Sequence, residues 1–279
     1  MTGPQIETKQ AVITMPYTHL QEIAEIADRI EAEASSESGA GVAIAWNSAS
    51  RTDLGRVRHI NEDAFLDSLE QRLWVVADGI GGQSRGDYAS SAVVAQLRAF
   101  PRQNSVLANL QDMEARLQVA HEKCRTAFRK HRPGTTVAAM HAHGNHCFLL
   151  WAGDSRIYRL RDRELEQLTQ DHTMGQEKLA RGELTEQELA GHRTAHVLTR
   201  SVGAHRNFRL DISYSPVRGG DRFLLCTDGL YNPVDSGEIS AALGRGSPID
   251  ACQSLVDLAL ERGGRDNITV VVVDASHSG

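Results

Sequence analysis

Four aspartates stand next to short apolar runs or in tight turns, far apart along the chain. They are Asp63, Asp78, Asp228 and Asp266. Apolar runs typical of buried strands adjoin three of them, at residues 73–77, 223–226 and 268–273. Carboxylates gathered at the edge of a core repel one another unless positive charge lies between them. Hard divalent cations with oxygen ligands supply such charge, so the pattern predicts a metal site.

Glycine follows two of these acids, as Gly79 and Gly229. A glycine lets the chain turn sharply after a strand and brings a carbonyl oxygen close to a ligand. The Asp-Gly-Ile-Gly-Gly loop from Asp78 lacks both the lysine of a Walker loop and the spacing of a dinucleotide fingerprint. Each such loop alone also fits an ordinary turn, but their repetition in one chain favours a functional site.

Arg58 lies four residues before Glu62. A lone arginine is most often solvated at the surface. Beside a metal site, however, a guanidinium group binds phosphate through two parallel hydrogen bonds, which lysine cannot do as well. The position of Arg58 therefore indicates a phosphate ligand.

The composition is that of an ordinary globular protein, with 279 residues, 41% of them hydrophobic and 24% charged. The net charge is −6 and no basic stripe is present, so we expect no nucleic-acid partner. No apolar run approaches the roughly 20 residues that span a bilayer, and no signal-peptide pattern opens the chain. We therefore expect a cytoplasmic protein without a membrane segment. Its four widely spaced cysteines should be reduced, buried thiols.

The first part of the chain predicts a helical extension. Thr18 and Gln21 have the spacing of a capping box, and apolar residues follow at helical intervals as far as Ile30. Residues 35–39 are typical of a linker. We expect residues 1–38 to form a helical extension that either packs on the main domain or binds a partner, and residues 39–276 to form that domain.

The rest of the chain groups its hairpins together and its helices in pairs. Helices are expected at 86–100, 106–131, 236–243 and 248–262, and short helical pieces are expected within 170–195. Further strands are expected at 42–46, 135–143, 146–152, 157–160, 165–168, 208–214 and 222–226. This grouping favours an α+β fold of antiparallel sheets covered by helices over repeating βαβ units.

Six short motifs occur in a characteristic order. They are Arg58-x-x-x-Glu62-Asp63, Asp78-Gly79-x-Gly81-Gly82, Gly134-Thr135-Thr136, Gly153-Asp154-Ser155-Arg156, Asp228-Gly229 and Arg265-Asp266-Asn267. In this order, over about residues 41–275, they resemble the metal-dependent protein Ser/Thr phosphatases of the type-2C group in their bacterial form. The stretch from His196 to Gly203 is also similar to the bacterial members. The resemblance implies a four-layer α-β-β-α sandwich, with two antiparallel sheets flanked by pairs of helices.

The resemblance also implies a role for each motif residue. Asp78 would bridge two Mn²⁺ or Mg²⁺ ions, the Gly79 carbonyl would bind one of them, and Asp154 would help to hold a third, weaker ion. Arg58 would hold the substrate phosphate. The implied metal ligands are Glu62, Asp63, Asp78, Gly79, Asp154, Asp228 and Asp266, and the implied catalytic residues are Arg58, Asp63 and Asp78.

The implied reaction is hydrolysis of phosphoserine and phosphothreonine by a metal-activated water, without a covalent phosphoenzyme. The partners would be phosphorylated proteins and a bacterial Ser/Thr kinase that the phosphatase opposes. Two positions depart from the eukaryotic pattern. Ile80 replaces a histidine proposed as general acid, and Asn232 replaces an aspartate of the third metal site.

The sequence leaves three alternatives open. The chain could be a non-catalytic phosphoprotein adaptor with the same fold, although the intact acids at Asp63, Asp78, Asp228 and Asp266 argue against it. It could be a phosphatase for anti-sigma-factor antagonists, or a structural protein whose turns happen to be acidic. In each case a monomer is expected.

Overall fold

The computed structural model describes residues 20–36, 43–80, 85–128, 132–189, 191–204, 206 and 208–277. The helices are α1 (Leu20–Ser36), α2 (Gly86–Arg98), α3 (Val106–Ala127), α4 (Met174–Ala180), α5 (Glu186–Leu189), α6 (Asp228–Tyr231), α7 (Ser236–Leu243) and α8 (Pro248–Glu261). The strands are β1 (Ile44–Asp53), β2 (Ala64–Ser68), β3 (Leu73–Ala77), β4 (Gly79–Ile80), β5 (Gly134–Thr135), β6 (Val137–His143), β7 (His146–Ala152), β8 (Arg156–Arg161), β9 (Glu164–Gln167), β10 (Asp211–Pro216), β11 (Arg222–Cys226) and β12 (Ile268–His277). None of the helices within these ranges has the length and apolar character needed to cross a bilayer.

The strands form two five-stranded sheets and a small β4–β5 ladder. One sheet has the order β1-β12-β11-β8-β9, and the other has the order β10-β7-β6-β3-β2. Every pair of neighbouring strands is antiparallel. The antiparallel prediction is therefore confirmed, and the close succession of hairpins in the sequence explains it, because antiparallel neighbours need only short turns.

Three hydrophobic clusters divide the fold into four layers. The central cluster packs Trp74 and Leu149 of one sheet against Phe223 and Val271 of the other. A second cluster covers the outer face of the β3 sheet with α1, α2 and α3. The third covers the outer face of the β11 sheet with α6, α7 and α8. The α-β-β-α sandwich is thus confirmed, and each amphipathic helix buries its apolar stripe on a sheet face.

Helix α1 packs on α3 and shares its hydrophobic cluster. Ile23, Ala27 and Ile30 are buried there, at the helical spacing that predicted the element. Glu31 also joins α1 to α3 through a hydrogen bond. Its Oε1 accepts this bond, of 2.6 Å, from the backbone N of Val106, the first residue of α3. The expected cap at Thr18 lies outside the described residues. The helix continues through Ser36, into the stretch that the sequence indicated as linker.

Several element boundaries differ from the predicted ones. Strand β1 continues to Asp53, because every residue from Ile44 onwards pairs with β12. Most residues of this extension are polar, so a pattern based on apolar runs does not predict it. Strand β10 begins only at Asp211, three residues later than predicted. The short helical pieces expected within residues 170–195 are confirmed as α4 and α5.

The four cysteines, Cys124, Cys147, Cys226 and Cys252, are free and buried. Burial raises the pKa of each thiol above its ordinary value. The prediction of small buried thiols is confirmed, and none of them is prepared to act as a nucleophile.

His141 should make the fold sensitive to acid. It is fully buried in β6, and its Nδ1 lies 3.1 Å from the Arg72 carbonyl oxygen. Burial lowers its pKa from 6.5 to about 4, so the unfolded chain takes up a proton that the folded chain does not. The free energy of unfolding should therefore fall as pH decreases from about 6.5 to about 4, by up to about 1.4 kcal/mol per pH unit.

Urea unfolding of wild type and His141→Asn across that pH range measures this effect. The amide introduced by this substitution can still donate to the Arg72 carbonyl, and the pH dependence of stability should be smaller than in wild type. His277→Asn, at an exposed histidine near the end of β12, is the control. An identical pH dependence in wild type and His141→Asn would contradict the assignment.

Candidate active site

The strand register brings the acidic loops to one end of the sandwich. The start of β2 pairs with the end of β3, through Ala64 and Ala77, so the loops at Asp63 and Asp78 are neighbours. In the other sheet, Cys226 at the end of β11 pairs with Val270 near the start of β12 and with Arg156 at the start of β8. The segments that carry Asp228, Asp266 and Asp154 therefore meet at the same end.

These segments enclose a cleft of about 180 Å³. The sequence-predicted residues that line it are Arg58, Glu62, Asp78, Gly79, Asp154, Asp228 and Asp266. Asp63 lies behind the cleft, where Thr227 Oγ1 donates a 2.8 Å hydrogen bond to its carboxylate. The structure thus brings all the predicted site residues together. Gly81 and Gly82 of the glycine motif lie outside the described residues.

A larger groove, of about 1120 Å³, runs between β2, β1 and α2. Of the predicted site residues only Asp63 reaches it. Volume alone does not identify a reaction centre, whereas convergent acids and an arginine do. The small acidic cleft is therefore the candidate active site.

Two glycines allow the loops to approach this closely. A Cβ atom on Gly79 would lie 2.5 Å from the Glu62 carbonyl oxygen, and one on Gly229 would lie 1.9 Å from the Asn267 carbonyl oxygen. Both contacts are with backbone atoms, so any side chain would force the acidic loops apart. Each glycine follows directly on a site aspartate, which explains the repeated Asp-Gly pairs in the sequence.

The carboxylates repel one another strongly. Burial raises the pKa of Asp78 well above 3.8, and the nearby charges of Asp63, Asp228 and Asp154 raise it further. Burial likewise raises the pKa of Asp63 to about 7 and that of Asp154 to about 7. The pKa of Asp228 is also raised, by burial and by the charge of Asp266. A cluster of buried carboxylates of this kind favours any ligand that brings positive charge.

Two of the acids accept hydrogen bonds from neighbouring segments. Glu62 Oε1 accepts a hydrogen bond of 2.9 Å from the Gly86 backbone N, and Asp266 Oδ2 lies 2.6 Å from Arg58 Nη2. Within the described ranges no three His, Cys, Asp or Glu side chains form a ready-made metal cage. The donor set still suits a hard cation, because clustered carboxylate oxygens and a backbone carbonyl are the ligands of Mg²⁺ and Mn²⁺.

Two further residues position the acids. Asn267 Oδ1 accepts a 2.9 Å hydrogen bond from the Glu62 backbone N, and Asn267 Nδ2 donates to the Leu54 and Ile60 carbonyls at 2.9 and 3.1 Å. Thr136 Oγ1 accepts a 2.9 Å hydrogen bond from the Asp78 backbone N. Both residues occur in the sequence motifs, but their roles depend on contacts between distant segments, which the sequence did not reveal.

The loop that carries Asp154 is tied on three sides. Gly153 N donates to His172 Nδ1 at 3.2 Å, and Tyr231 Oη donates to the Asp154 carbonyl at 2.9 Å. The Ser155 and Thr136 hydroxyls lie 2.6 Å apart. Through these contacts the loop is fixed to α6 and to the segment that contains α4 and α5.

Ile80 lines the cleft at the position where some eukaryotic members of the resembled group carry a histidine. The described lining does include a histidine, His196, which comes from the segment after α5. Leu198 from the same segment also lines the cleft. In the sequence this stretch stands out only through its similarity to the bacterial members, and no local pattern gives these two residues a place in the site.

Replacement of Arg58 should weaken phosphate binding. Its guanidinium group borders the cleft and is 44% exposed, so it can leave Asp266 for an incoming anion. Hydrogen bonds to charged groups contribute about 1.5–3 kcal/mol, so Arg58→Ala should lower kcat/KM for a phosphomonoester by roughly 10- to 100-fold. Arg58→Lys should restore only part of this loss, because lysine lacks the bidentate fork.

Steady-state kinetics of both variants measure the effect, with Arg56→Ala as the control. Unchanged kinetics would remove Arg58 from the site.

Comparisons with known proteins agree with this geometry. The family model described as protein phosphatase 2C matches residues 56–251. The Ser/Thr protein phosphatase PstP of Mycobacterium tuberculosis is 34% identical over an alignment of 252 positions that covers 84% of this chain and 46% of PstP. The chain thus spans about half of that relative. The Ser/Thr phosphatase Stp of Listeria monocytogenes is 31% identical over 236 residues, covering 80% of this chain and 94% of Stp.

A solved structure extends the comparison to the fold. The catalytic domain of the Ser/Thr protein phosphatase PstP, in complex with 2 manganese ions, superposes with a TM-score of 0.73 at 34% identity and covers 84% of this chain and 99% of that domain. The likeness therefore extends from the sequence to the fold. On the family match and on relatives above 30% identity, the chain belongs to the protein phosphatase 2C family.

Proposed function

We propose that this chain is a metal-dependent protein Ser/Thr phosphatase that hydrolyses phosphoserine and phosphothreonine with a metal-activated water. The observation that carries the proposal is the convergence of carboxylates from five separate segments on one cleft that also holds Arg58. The named relatives are Ser/Thr phosphatases. This supports catalysis over an adaptor role, and so does the retention of all six acids.

The acids are proposed to hold two divalent cations. The ligands would be Glu62, Asp63, Asp78, the Gly79 carbonyl, Asp228 and Asp266, and Asp154 would help to hold a third, weaker ion. Manganese in the PstP structure supports Mn²⁺ as a cofactor, and Mg²⁺ prefers the same oxygen ligands. Such ions offset the charge of a phosphate dianion and lower the pKa of water towards about 7.

The protein's own contribution is to position the reacting groups. Arg58 would bind two phosphate oxygens and stabilise the charge that develops on them, and Asp266, which accepts a hydrogen bond from Arg58, would be one of the metal ligands. Asn267 holds the segment that carries Arg58 and Glu62 against β12. Thr136 fixes the backbone of Asp78. The substrate would therefore meet a site in which the arginine and the acids are already aligned.

The biological setting follows from this chemistry as part of the proposal. A Ser/Thr phosphatase acts on the products of Ser/Thr kinases, so the partners would be phosphoproteins and a bacterial kinase. We also propose that residues 39–276 form the phosphatase domain, with residues 1–38 as a helical extension, and that the protein is a cytoplasmic monomer. The packing of α1 on α3 supports an extension that is docked on the domain.

Release of phosphate from a panel of phosphothreonine and phosphoserine peptides tests the proposal. We expect turnover with Mn²⁺, loss of turnover in EDTA, and recovery on addition of excess Mn²⁺ or Mg²⁺. Binding of phosphopeptides without release of phosphate under any of these conditions would overturn the proposal in favour of the adaptor.

A further inference from the structure

Several exposed apolar side chains are sequence neighbours of residues that line the cleft. Large hydrophobic residues among the described ones are exposed at nine positions, which are Leu54, Val57, Ile60, Leu69, Tyr88, Val119, Met174, Val197 and Ile249. Three of these nine lie on the loop that carries Arg58, and two others either lie on the segment that carries His196 or are hydrogen-bonded to it. We call Leu54, Val57, Ile60, Met174 and Val197 the apolar rim.

One side of the apolar rim is the loop that carries Arg58. Val57 precedes Arg58 and is 59% exposed, and Ile60 follows two residues later and is 62% exposed. Asn267, which lines the cleft, donates hydrogen bonds to the carbonyls of both Leu54 and Ile60. The backbone of this loop is thus fixed beside the acids while its apolar side chains face solvent.

The other side is the segment that carries His196 and Leu198. Val197 lies between these two cleft-lining residues and is exposed. Met174 is joined to it, because the Met174 N donates a 2.8 Å hydrogen bond to the Val197 carbonyl. The apolar rim therefore comes from two parts of the chain that also supply residues to the cleft lining.

The small size of the cleft indicates which part of a substrate would contact the rim. The cleft is small, at about 180 Å³, so the residues that flank a phosphorylated side chain in a peptide would lie outside it. There they would be close to the chain segments that carry the rim. Single exposed apolar residues are normal, but a group of them beside a binding site marks an interaction surface.

We infer that the apolar rim binds the residues that flank the phosphorylated serine or threonine, and that it selects substrates with large aliphatic or aromatic side chains at those positions. The inference rests on the proposed function and adds a substrate class to it. Phosphate recognition by Arg58 and the acids does not depend on the flanking sequence. Discrimination between phosphoproteins then arises from burial of apolar surface against the rim.

Two phosphothreonine peptides test the inference, one with leucine or phenylalanine beside the phosphothreonine and one with serine or glutamine there. Wild-type protein with Mn²⁺ should show a kcat/KM ratio of roughly 10-fold in favour of the apolar peptide. Val57→Thr, Ile60→Thr and Val197→Thr preserve much of the side-chain shape, and each should lower this ratio. Together they should bring it close to one. The controls Val119→Thr on α3 and Ile249→Thr on α8 replace exposed apolar residues away from the rim and should leave the ratio at the wild-type value.

A wild-type ratio near one would overturn the inference, as would rim variants that change kcat/KM for both peptides equally, or controls that shift the ratio as much as the rim variants do. Thermal unfolding of each variant identifies any that lose the fold. The single variants that remain folded still test whether the rim determines the kcat/KM ratio. Failure of the proposed function would appear differently, because wild-type protein would then release no phosphate from either peptide.

Discussion

Asp78→Asn should abolish phosphatase activity and at the same time make the metal-free protein more stable. Burial raises the pKa of Asp78, and the charges of four neighbouring aspartates raise it further. Asp78 is also one of the proposed metal ligands. Loss of outer partners of metal ligands costs about 10- to 100-fold in activity, so loss of a direct ligand should reduce kcat by at least about 100-fold. A neutral amide removes a repulsive buried charge, which should raise the unfolding midpoint in EDTA.

Asp67→Asn is the matched control for this variant. Asp67 is a half-buried carboxylate of β2 that accepts hydrogen bonds from Ser48 Oγ and from Trp74 Nε1, at 2.6 and 3.1 Å, away from the cleft. The substitution should leave kcat within a few-fold of wild type. Initial rates with Mn²⁺ and calorimetry in EDTA measure both effects. Near-native turnover of Asp78→Asn would contradict the metal assignment, and a lower unfolding midpoint would contradict the repulsion.

Stabilisation by Mn²⁺ should grow as pH rises from about 5 to about 8. In the metal-free chain, burial raises the pKa of Asp63 and of Asp154 from 3.8 to about 7. A carboxyl group whose pKa is higher in the folded than in the unfolded chain favours folding at low pH, and this contribution is lost as pH rises through about 7. Protons also compete with the cation for the same oxygens, so Mn²⁺ should bind better as they leave.

The measured quantity is the unfolding midpoint with Mn²⁺ minus the midpoint in EDTA. A ligand at 100 times its Kd adds about 2.7 kcal/mol to the free energy of unfolding, which corresponds to several degrees in the midpoint for a domain of this size. The contribution of His141 cancels in this difference, because it is present with and without metal. A difference that is constant with pH, or a chelator without effect, would show that the acids do not hold the cation.

The chemistry of the site could be predicted from the sequence because it lies next to local patterns. Strands β3, β11 and β12 each contain a short, mostly apolar and buried run, and each adjoins a site aspartate. The Asp-Gly pairs marked the close approach of loops that the structure shows at Gly79 and Gly229. The order of the motifs then supplied the fold and the roles through the resemblance.

Features that depend on distant contacts could not be predicted in this way. The polar half of β1 is a strand only because β12 pairs with it. The three hydrogen bonds of the Asn267 side chain join segments more than 200 residues apart, and no local pattern indicates them. The exposure of Val57 and Ile60 likewise opposes their residue type, since valine and isoleucine usually indicate a core. Only the folded arrangement shows that these two side chains face solvent on either side of Arg58, which lines the cleft.

The four cysteines have a consequence for how this protein would respond to oxidants. All are enclosed, and burial keeps their thiols protonated at neutral pH, so they offer little thiolate to peroxide or to alkylating reagents. The proposed chemistry uses none of them. Dephosphorylation should therefore persist under conditions that silence phosphatases with a cysteine nucleophile, and divalent-cation supply would control it instead.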